Sequence, residues 1–554
     1  MDSCNNSELF FDEACVFLKS LLKFDTWLYS LSSDCFQCPY KRLEKIPLES
    51  NFSIKFNTVQ SYSWRVLKNN GTEDFLSATD SRNVLCQLDS KLGQFGQYEL
   101  IINDTNCRIE TIKHPTNAYI SLAIAIGIVM SLLLGLSLVN YLTKALLKIY
   151  HKSEMTNKPE KSIKNRVKAI DTFRGISIIY MIFVNNGAGG FPLLEHATWD
   201  GLRIGDFVFP CFLWIMGVCI PISLFSQLSR GVSRLKICVS IVKRSIWLFL
   251  IGISLNTLVN GSQLEDIRIF GVLQRFSVAY LISGCIYALQ SSRTKEEKDI
   301  FKNFADIISL WIQWIIIICI VIIHSLITFK LSIPECPRNT SRGYLGPGGQ
   351  HANGKYINCT GGSAGYIDKT LMGVNHVFQW PEIRSVYGSE PFDPEGILGC
   401  LTSIFQVFLG IQSGQTILYY RDWKQRILRW FSWALILGIV GCILHLNDII
   451  PINKHLWSLS FVFVTTSFAL CLLCICYLLV DVVKIWRGGP FRIPGMNALV
   501  MYIGHMVCYK IFPFHWKFGK MKTHELLLAE SFWCVGLWIV IAYVLYKRKI
   551  FITL

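Results

Sequence analysis

Charge is what this chain has least of. Asp, Glu, Lys and Arg make up 17% of its 554 residues against 52% hydrophobic ones, a balance that excludes an ordinary soluble protein and leaves a bilayer as the solvent that fits. Acidic residues are the scarcer sign, so the formal charge is +16. Nucleic acid is not the partner this implies, because most of the excess sits in short loops between apolar runs, where the positive-inside rule places it. A cleavable leader is missing from the visible start: Met1 to Glu13 is acidic and polar where a basic start and an apolar run are required. Either a leader precedes these residues or the first span exports the N-terminus. Zinc spacing is lacking too, since Cys35-x-x-Cys38 has no second ligand pair, and no metal is expected. Inverted repeats of the transporter kind are not evident.

What is present is a series of apolar runs long enough to cross a bilayer, at about 118–142, 170–190, 203–227, 240–259, 268–290, 307–329, 396–419, 427–446, 457–480, 495–513 and 528–546. The fold class is therefore a polytopic α-helical membrane protein of about eleven transmembrane helices. A small β-rich domain precedes them over 1–115, where alternation as in Tyr98-Glu-Leu-Ile-Ile102 is broken by turn pairs such as Asn70-Gly71. The remaining divisions are a first span over 116–143, a basic loop over 144–169, a ten-helix region over 170–546 with an outer loop at 330–395, and a tail from 547 to 554.

Direction follows from charge. Lys144 to Lys168 carries eight Lys or Arg against two Glu, and Arg230, Arg234 and Lys236, then Arg421, Lys424 and Arg426, then Lys547 to Lys549, mark further loops expected to face the cytosol. Every glycosylation triplet, at Asn5, Asn51, Asn70, Asn103, Asn260, Asn339 and Asn358, falls on the opposite side of that topology. Eight of the 20 cysteines do so as well, an even number that reads as disulfides in an oxidising compartment. Pairings of Cys35 with Cys38, Cys86 with Cys107 and Cys336 with Cys359 each close a short outer loop; Cys4 and Cys15 complete the eight.

Ionisable groups inside spans are costly unless paired or hydrated, so each is a functional candidate. Asp171, Arg174, Arg244 and Asn497 lie near the cytosolic ends, whereas Asn185, His196, Asp206, Gln274 and Arg275 lie toward the outer ends, with His505 near the middle of the tenth span. Around one cavity these would line a polar passage open to cytosolic anions and closed by a histidine. Blander uses stand beside that one: Asp171 and Arg174, three residues apart, can simply pair, and Arg244 can snorkel to the surface.

The densest polar segment runs from Asp171-Thr-Phe-Arg-Gly175 through Gly187, Gly189 and Gly190 to Glu195-His-Ala-Thr-Trp-Asp-Gly-Leu202 and Asp206-Phe-Val-Phe-Pro210. Its glycines allow the chain to leave a helix and bring backbone N–H groups to an oxyanion. His196 supplies a group that can take a proton or carry an acyl group. The spacing His196-x-x-x-Asp200 echoes soluble acyltransferases. A transporter of a small anionic or sugar substrate is the competing reading.

These segments resemble the heparan-α-glucosaminide N-acetyltransferase family of the lysosomal membrane, as do Gly271-Val-Leu-Gln-Arg275, Gly343-Tyr-Leu-Gly-Pro-Gly-Gly349, Asp393-Pro-Glu-Gly-Ile-Leu-Gly399, Lys454-His-Leu-Trp-Ser-Leu-Ser460 and Pro494-Gly-Met-Asn497. The resemblance implies transfer of acetyl from cytosolic acetyl-CoA to the terminal glucosamine of heparan sulfate in the lysosomal lumen, with the N-terminus luminal and the C-terminus cytosolic. It also implies a homodimer. By position it makes His196, Asn185 and Asp206 the catalytic set and puts Arg244, Arg275 and His505 on the acetyl-CoA channel; Arg174, as a guanidinium suited to phosphate, and Asn497, at the polar cytosolic mouth, are added to the cofactor-binding set. The chain departs from the family's usual residues at Asn186, Asp200 and Cys211.

Overall fold

The alternation of the first hundred residues becomes strands, and the apolar runs become helices, in a computed structural model that describes residues 4, 9–47, 51–68, 84–103, 106–150, 167–290, 303–334, 336–337 and 343–552. Eight strands, β1 (Glu13–Ser20), β2 (Thr26–Ser32), β3 (Lys41–Ile46), β4 (Asn51–Asn57), β5 (Tyr62–Lys68), β6 (Val84–Ser90), β7 (Gln97–Ile102) and β8 (Cys107–Lys113), form two sheets ordered β4-β1-β7-β8 and β3-β2-β5-β6. Among the described residues only β1 and β7 pair in parallel. Alternate residues of both sheets, including Val16, Leu18, Leu28, Trp64, Val66 and Leu100, bury into one core, as period-two side-chain alternation requires. Cys86–Cys107 ties the second sheet to the first, and Cys4–Cys15, Cys35–Cys38 and Cys336–Cys359 are also joined.

Among the described residues fifteen helices follow: α1 (Tyr119–Tyr150), α2 (Lys168–Asn185), α3 (Val208–Ser229), α4 (Arg234–Asn260), α5 (Val272–Gln290), α6 (Ala305–Ile308), α7 (Trp311–Lys330), α8 (Gly362–Met372), α9 (Ile383–Tyr387), α10 (Ile397–Tyr419), α11 (Trp423–Leu446), α12 (Leu459–Tyr477), α13 (Arg492–Met496), α14 (Ala498–Val507) and α15 (His524–Lys547). Among the described residues nine are long and apolar enough to cross a membrane. The second expected span is the 18-residue α2, which carries Lys168, Asp171 and Arg174.

The tenth expected span departs from a continuous helix. It breaks at Asn497, leaving the ten residues of α14, which rise about 15 Å, half a hydrocarbon core. Its start lies against α2, where a Cβ at Gly495 would stand 1.9 Å from the Asp171 carbonyl oxygen. Interrupted helices of this kind are tolerated in a bilayer where they line a cavity, and that is what α14 does.

α10 is the most enclosed span. A Cβ at Gly217 of α3 would stand 2.0 Å from the Val407 carbonyl oxygen, and one at Gly410 would stand 2.1 Å from that of Trp214, so small residues set this close crossing. The same device seats α13 on α2, where a Cβ at Gly175 would meet the Phe491 carbonyl at 1.7 Å. The β domain docks on the 343–396 segment: Phe36 N–H donates to the Tyr387 hydroxyl at 3.2 Å and Asn353 N–H to the Gln37 carbonyl at 3.1 Å. The turns holding Arg230 and Arg421 follow helices that begin near that segment and so lie at the other end. Of the glycosylation triplets, Asn358 is exposed and Asn103 sits in a half-exposed turn. Asn5, Asn70 and Asn339 lie outside the described residues, as do the side chains of Asn51 and Asn260 and most of the basic stretch after Tyr150.

Candidate active site

Asp206 is where the site is fixed. It stands in a 3-10 turn, Ile204–Phe207, that feeds α3, and it has no solvent exposure. One carboxylate oxygen accepts N–H groups from Ala197 at 3.1 Å and Arg203 at 2.8 Å. The other faces His196 Nδ1 at 3.0 Å and Lys454 Nζ at 3.7 Å. A carboxylate there accepts from Nδ1–H, which leaves Nε2 of His196 as the basic nitrogen. Behind the loop, His455 stacks on Trp199 at 5.3 Å. Burial, then the Lys454 charge, pushes the His455 pKa down, so this ring is a neutral support.

His196 borders a cavity of about 300 Å³ with Asn185, Glu395, Lys454, Tyr502 and His505. Asn185 Nδ2 lies 2.9 Å from His505 Nε2, and His505 Nδ1 lies 3.0 Å from the Met501 carbonyl. Nδ1–H therefore donates to the carbonyl, Nε2 accepts from the amide, and the second N–H of Asn185 is left for another acceptor. A second cavity, of about 350 Å³, is walled mainly by apolar side chains such as Ile178, Phe212 and Leu248, with Arg174 and Arg244 among its lining. Met181 and Tyr502 line both cavities. The two spaces are therefore neighbours across these side chains, His196 bordering one and the two guanidinium groups the other.

Arg174 serves both uses considered for it: it pairs with Asp171 at 3.6 Å, donates to the Gly495 carbonyl at 3.3 Å, and still faces the second cavity. Arg244 is exposed there, its guanidinium 5.0 Å from the Tyr280 ring. Two residues expected on the channel stand off both linings. Arg275, 1% exposed, donates to the Pro394 and Gly396 carbonyls at 3.0 and 3.3 Å and lies over Trp457, because the peptide leading into α10 needs those donors. Asn497 holds the C-terminal segment through the Ile550 carbonyl and the Ile552 N–H.

Two further expectations are corrected. Asp200 does not reach His196; it pairs with Asn453 at 3.1 Å. The Gly187–Gly190 turn keeps left-handed φ at Gly187, Gly189 and Gly190, yet it packs on Leu527, Leu528 and Phe11, and Gly190 N–H is used by the Gly187 carbonyl at 2.6 Å. It braces the loop and lies off the cavity linings.

Sequence reasoning passed over Lys454 and Glu395, both on the His196 cavity. Arg268 grips Asp393 through two bonds of 2.7 and 2.8 Å and Glu395 at 2.6 Å. Burial acts to raise the Glu395 pKa, but Arg268, Arg275 and Lys454 outweigh it and hold it below the ordinary range. The available signal was that both residues fall in segments carrying the family resemblance. Among the described residues no cluster of three His, Cys, Asp or Glu side chains is placed to hold a metal ion.

An oriented imidazole at one end of a helical bundle, with a guanidinium-lined cavity beside its own, suits the movement of a group across a membrane without its carrier. The chain is of the polytopic membrane acyltransferase class. Residues 166–296, which hold Arg174, Asn185, His196, Asp206 and Arg244, match the family model described as heparan-alpha-glucosaminide N-acetyltransferase, catalytic. The whole chain aligns with the mouse protein named heparan-alpha-glucosaminide N-acetyltransferase at 35% identity, covering 90% of it. It aligns with the human protein of that name at 34% identity, covering 89%. The chain belongs to the heparan-α-glucosaminide N-acetyltransferase family, and it is an enzyme.

Proposed function

We propose that this acetyltransferase takes acetyl from cytosolic acetyl-CoA, held in the Arg174–Arg244 cavity, and passes it to the terminal glucosamine amine of heparan sulfate at His196. The observation that carries the reading is that the two cavities are neighbours, with Met181 and Tyr502 lining both. Coenzyme A is too charged to cross lipid, but an extended pantetheine arm suits the apolar walls of the first cavity and can present the thioester to the second. Guanidinium groups pair bidentately with phosphate, which suits Arg174 and Arg244 to the nucleotide end.

In the second cavity, the Glu395 carboxylate attracts the acceptor as an ammonium ion. His196 Nε2 takes a proton from it, the amine nitrogen attacks the thioester carbonyl, and the tetrahedral oxyanion accepts the remaining N–H of Asn185. His196 gives that first proton to solvent, takes a second from the now cationic nitrogen, and passes it to the thiolate as the C–S bond breaks, leaving the amide, the thiol and one released proton. Asp206 stabilises the imidazolium that forms between these steps. The same reading places the chain in the lysosomal membrane as a homodimer, with the N-terminus luminal and the C-terminus cytosolic; the glycosylation triplets and the basic loops support that orientation. Labelled acetyl-CoA and a glucosamine acceptor, given to purified wild type and to His196→Ala, test the reaction. Transfer by wild type alone is expected, and undiminished transfer by the variant overturns it.

A further inference from the structure

The segment 1–115 holds 12 Lys and Arg against 15 Asp and Glu, so any basic surface on it is a matter of placement rather than of composition. One such surface exists. On the β3-β2-β5-β6 sheet, Lys45 stands opposite Trp27 and Arg42 opposite Tyr29, with a register shift between Leu28 and Tyr29. Trp27 and Tyr29, two apart, point to one face, and the bulge brings Lys45 and Arg42 to that face although they are three apart. Arg65 of β5 also stands opposite Tyr29. Arg42, Tyr29 and Arg65 therefore form a row across three strands, with the arginines about 10 Å apart at two strand spacings.

Aromatic rings accompany each cation. The Arg42 guanidinium lies 4.4 Å from the Trp27 ring and that of Arg65 lies 4.1 Å from the Tyr40 ring. Arg65 also donates to Gln87 at 2.9 Å, and Lys45 pairs with Asp25 at 2.6 Å. Asp89, opposite Ser63, is the acid on the neighbouring row. The main core of the domain is on the other side of this sheet; on this side Tyr29 and Leu67 are buried in a small cluster with Trp27, Tyr40 and Val84, and Arg42 is exposed above it. The sheet adjoins the His196 side of the bundle: the Cys35–Cys38 turn between β2 and β3 packs with Trp199, Lys41, on the opposite face of β3 from Arg42, donates through Nζ to the Val386 carbonyl at 3.3 Å, and in the same short helix α9 Arg384 lies 4.5 Å from the exposed ring of Trp380. Glu382, which precedes that helix, is near enough to Glu195, the neighbour of His196, for their like charges to interact.

We infer that the Arg42–Tyr29–Arg65 face is a binding site for the sulfated interior of the acceptor glycan, holding the chain while its end occupies the His196 cavity. Guanidinium groups meet sulfate oxygens as they meet phosphate, and stacking on Trp27 and Tyr40 holds these two in place. The inference rests on the acetyltransferase reading and concerns only how a polymeric acceptor is held.

The experiment compares KM for a sulfated heparan oligosaccharide with KM for free glucosamine, using the full chain, in wild type, Arg42→Ala/Arg65→Ala and the control Arg108→Ala/Lys113→Ala on the other sheet. Exposed ionic contacts of this kind are worth about threefold to tenfold for a pair. The expected result is a rise of that size in KM for the oligosaccharide alone, only in the first variant, lessened by added salt in wild type. Equal KM changes for both acceptors, or the same effect from the control pair, overturn the proposal. Retention of full chain on a heparin column, with earlier salt elution of Arg42→Ala/Arg65→Ala, reads the face without catalysis, so failure of the acetyltransferase reading is distinguishable. Unchanged elution, or stronger binding of the face to anionic lipid vesicles than to the oligosaccharide, also overturns it.

Discussion

His196 Nδ1 sits 3.0 Å from Asp206 Oδ1, and the aspartate's other oxygen is held by two backbone N–H groups of the same loop. One carboxylate thus sets both the shape of the loop and the tautomer of its imidazole. Asp206→Asn removes the charge that stabilises imidazolium and can turn an N–H toward Nδ1, favouring the wrong tautomer. The expected outcome is a fall in kcat of about 10²- to 10⁴-fold, with little change in either KM. Steady-state kinetics beside a melting curve separate this from unfolding, and a kcat within threefold of wild type contradicts the assignment.

Asn185 has one amide N–H engaged by His505, and the reaction scheme uses the other. Asn185→Ala is expected to cost about 10²- to 10³-fold in kcat, the usual loss when a single oxyanion donor is removed. His505→Ala is expected to do less, because it only aims the amide. If the His505 variant is the more damaging, the imidazole of α14 acts directly and the roles are reversed.

How far the sequence anticipated this arrangement depends on the kind of residue. Span positions were legible because an apolar run of about 20 residues has few other uses. The break at Asn497 was not, because hydropathy stays high across it while Pro494 and the close contact of Gly495 with α2 interrupt the helix. His196, Asn185 and Asp206 lie within 22 residues of one another in a polar segment between apolar runs, where a site shows. Lys454 and Glu395 come from distant outer loops, where charge is ordinary, and only folding carries them to the cavity. Arg275 differs for the opposite reason: depth implies a partner, and here backbone carbonyls meet Nη2 while Trp457 lies under the guanidinium, off both cavity linings.

The second cavity makes Arg244 a separable contact. It lies over Tyr280 and takes no part in the His196 cavity, so Arg244→Ala is expected to raise KM for acetyl-CoA about 10- to 100-fold, the range of a lost charge-assisted hydrogen bond. KM for the acceptor stays unchanged. Lysine at this position recovers charge without the planar fork, and partial rescue is expected. Equal effects on both substrates would mean that the arginine supports the fold.

Glu395 offers the converse test. Held as a carboxylate by Arg268 and bordering the cavity, it is expected to favour a cationic acceptor. Glu395→Gln keeps the shape and removes the charge, so KM for glucosamine rises while KM for acetyl-CoA does not. The split between the two constants is the measurement, and a purely structural Glu395 would not produce it.

Asp368 ties stability to pH. It lies on α8, outside the spans, and is 1% exposed. One oxygen accepts the Ile397 N–H at 2.9 Å at the start of α10, and the other has no hydrogen-bond partner. Burial pushes its pKa up to about 7. The folded state therefore keeps a proton that the unfolded chain gives up near pH 4. Between those values the native state binds more protons, so the slope of unfolding free energy with pH is negative. This group's contribution is most favourable below the unfolded pKa and declines until pH passes the folded one. Asp368→Asn keeps an acceptor for Ile397 and carries no charge at any pH. Melting temperatures from pH 4 to pH 8 are expected to fall less for this variant than for wild type, with the variant the more stable at pH 8. A parallel pair of curves would place the titration elsewhere and leave Asp368 ionised in the fold.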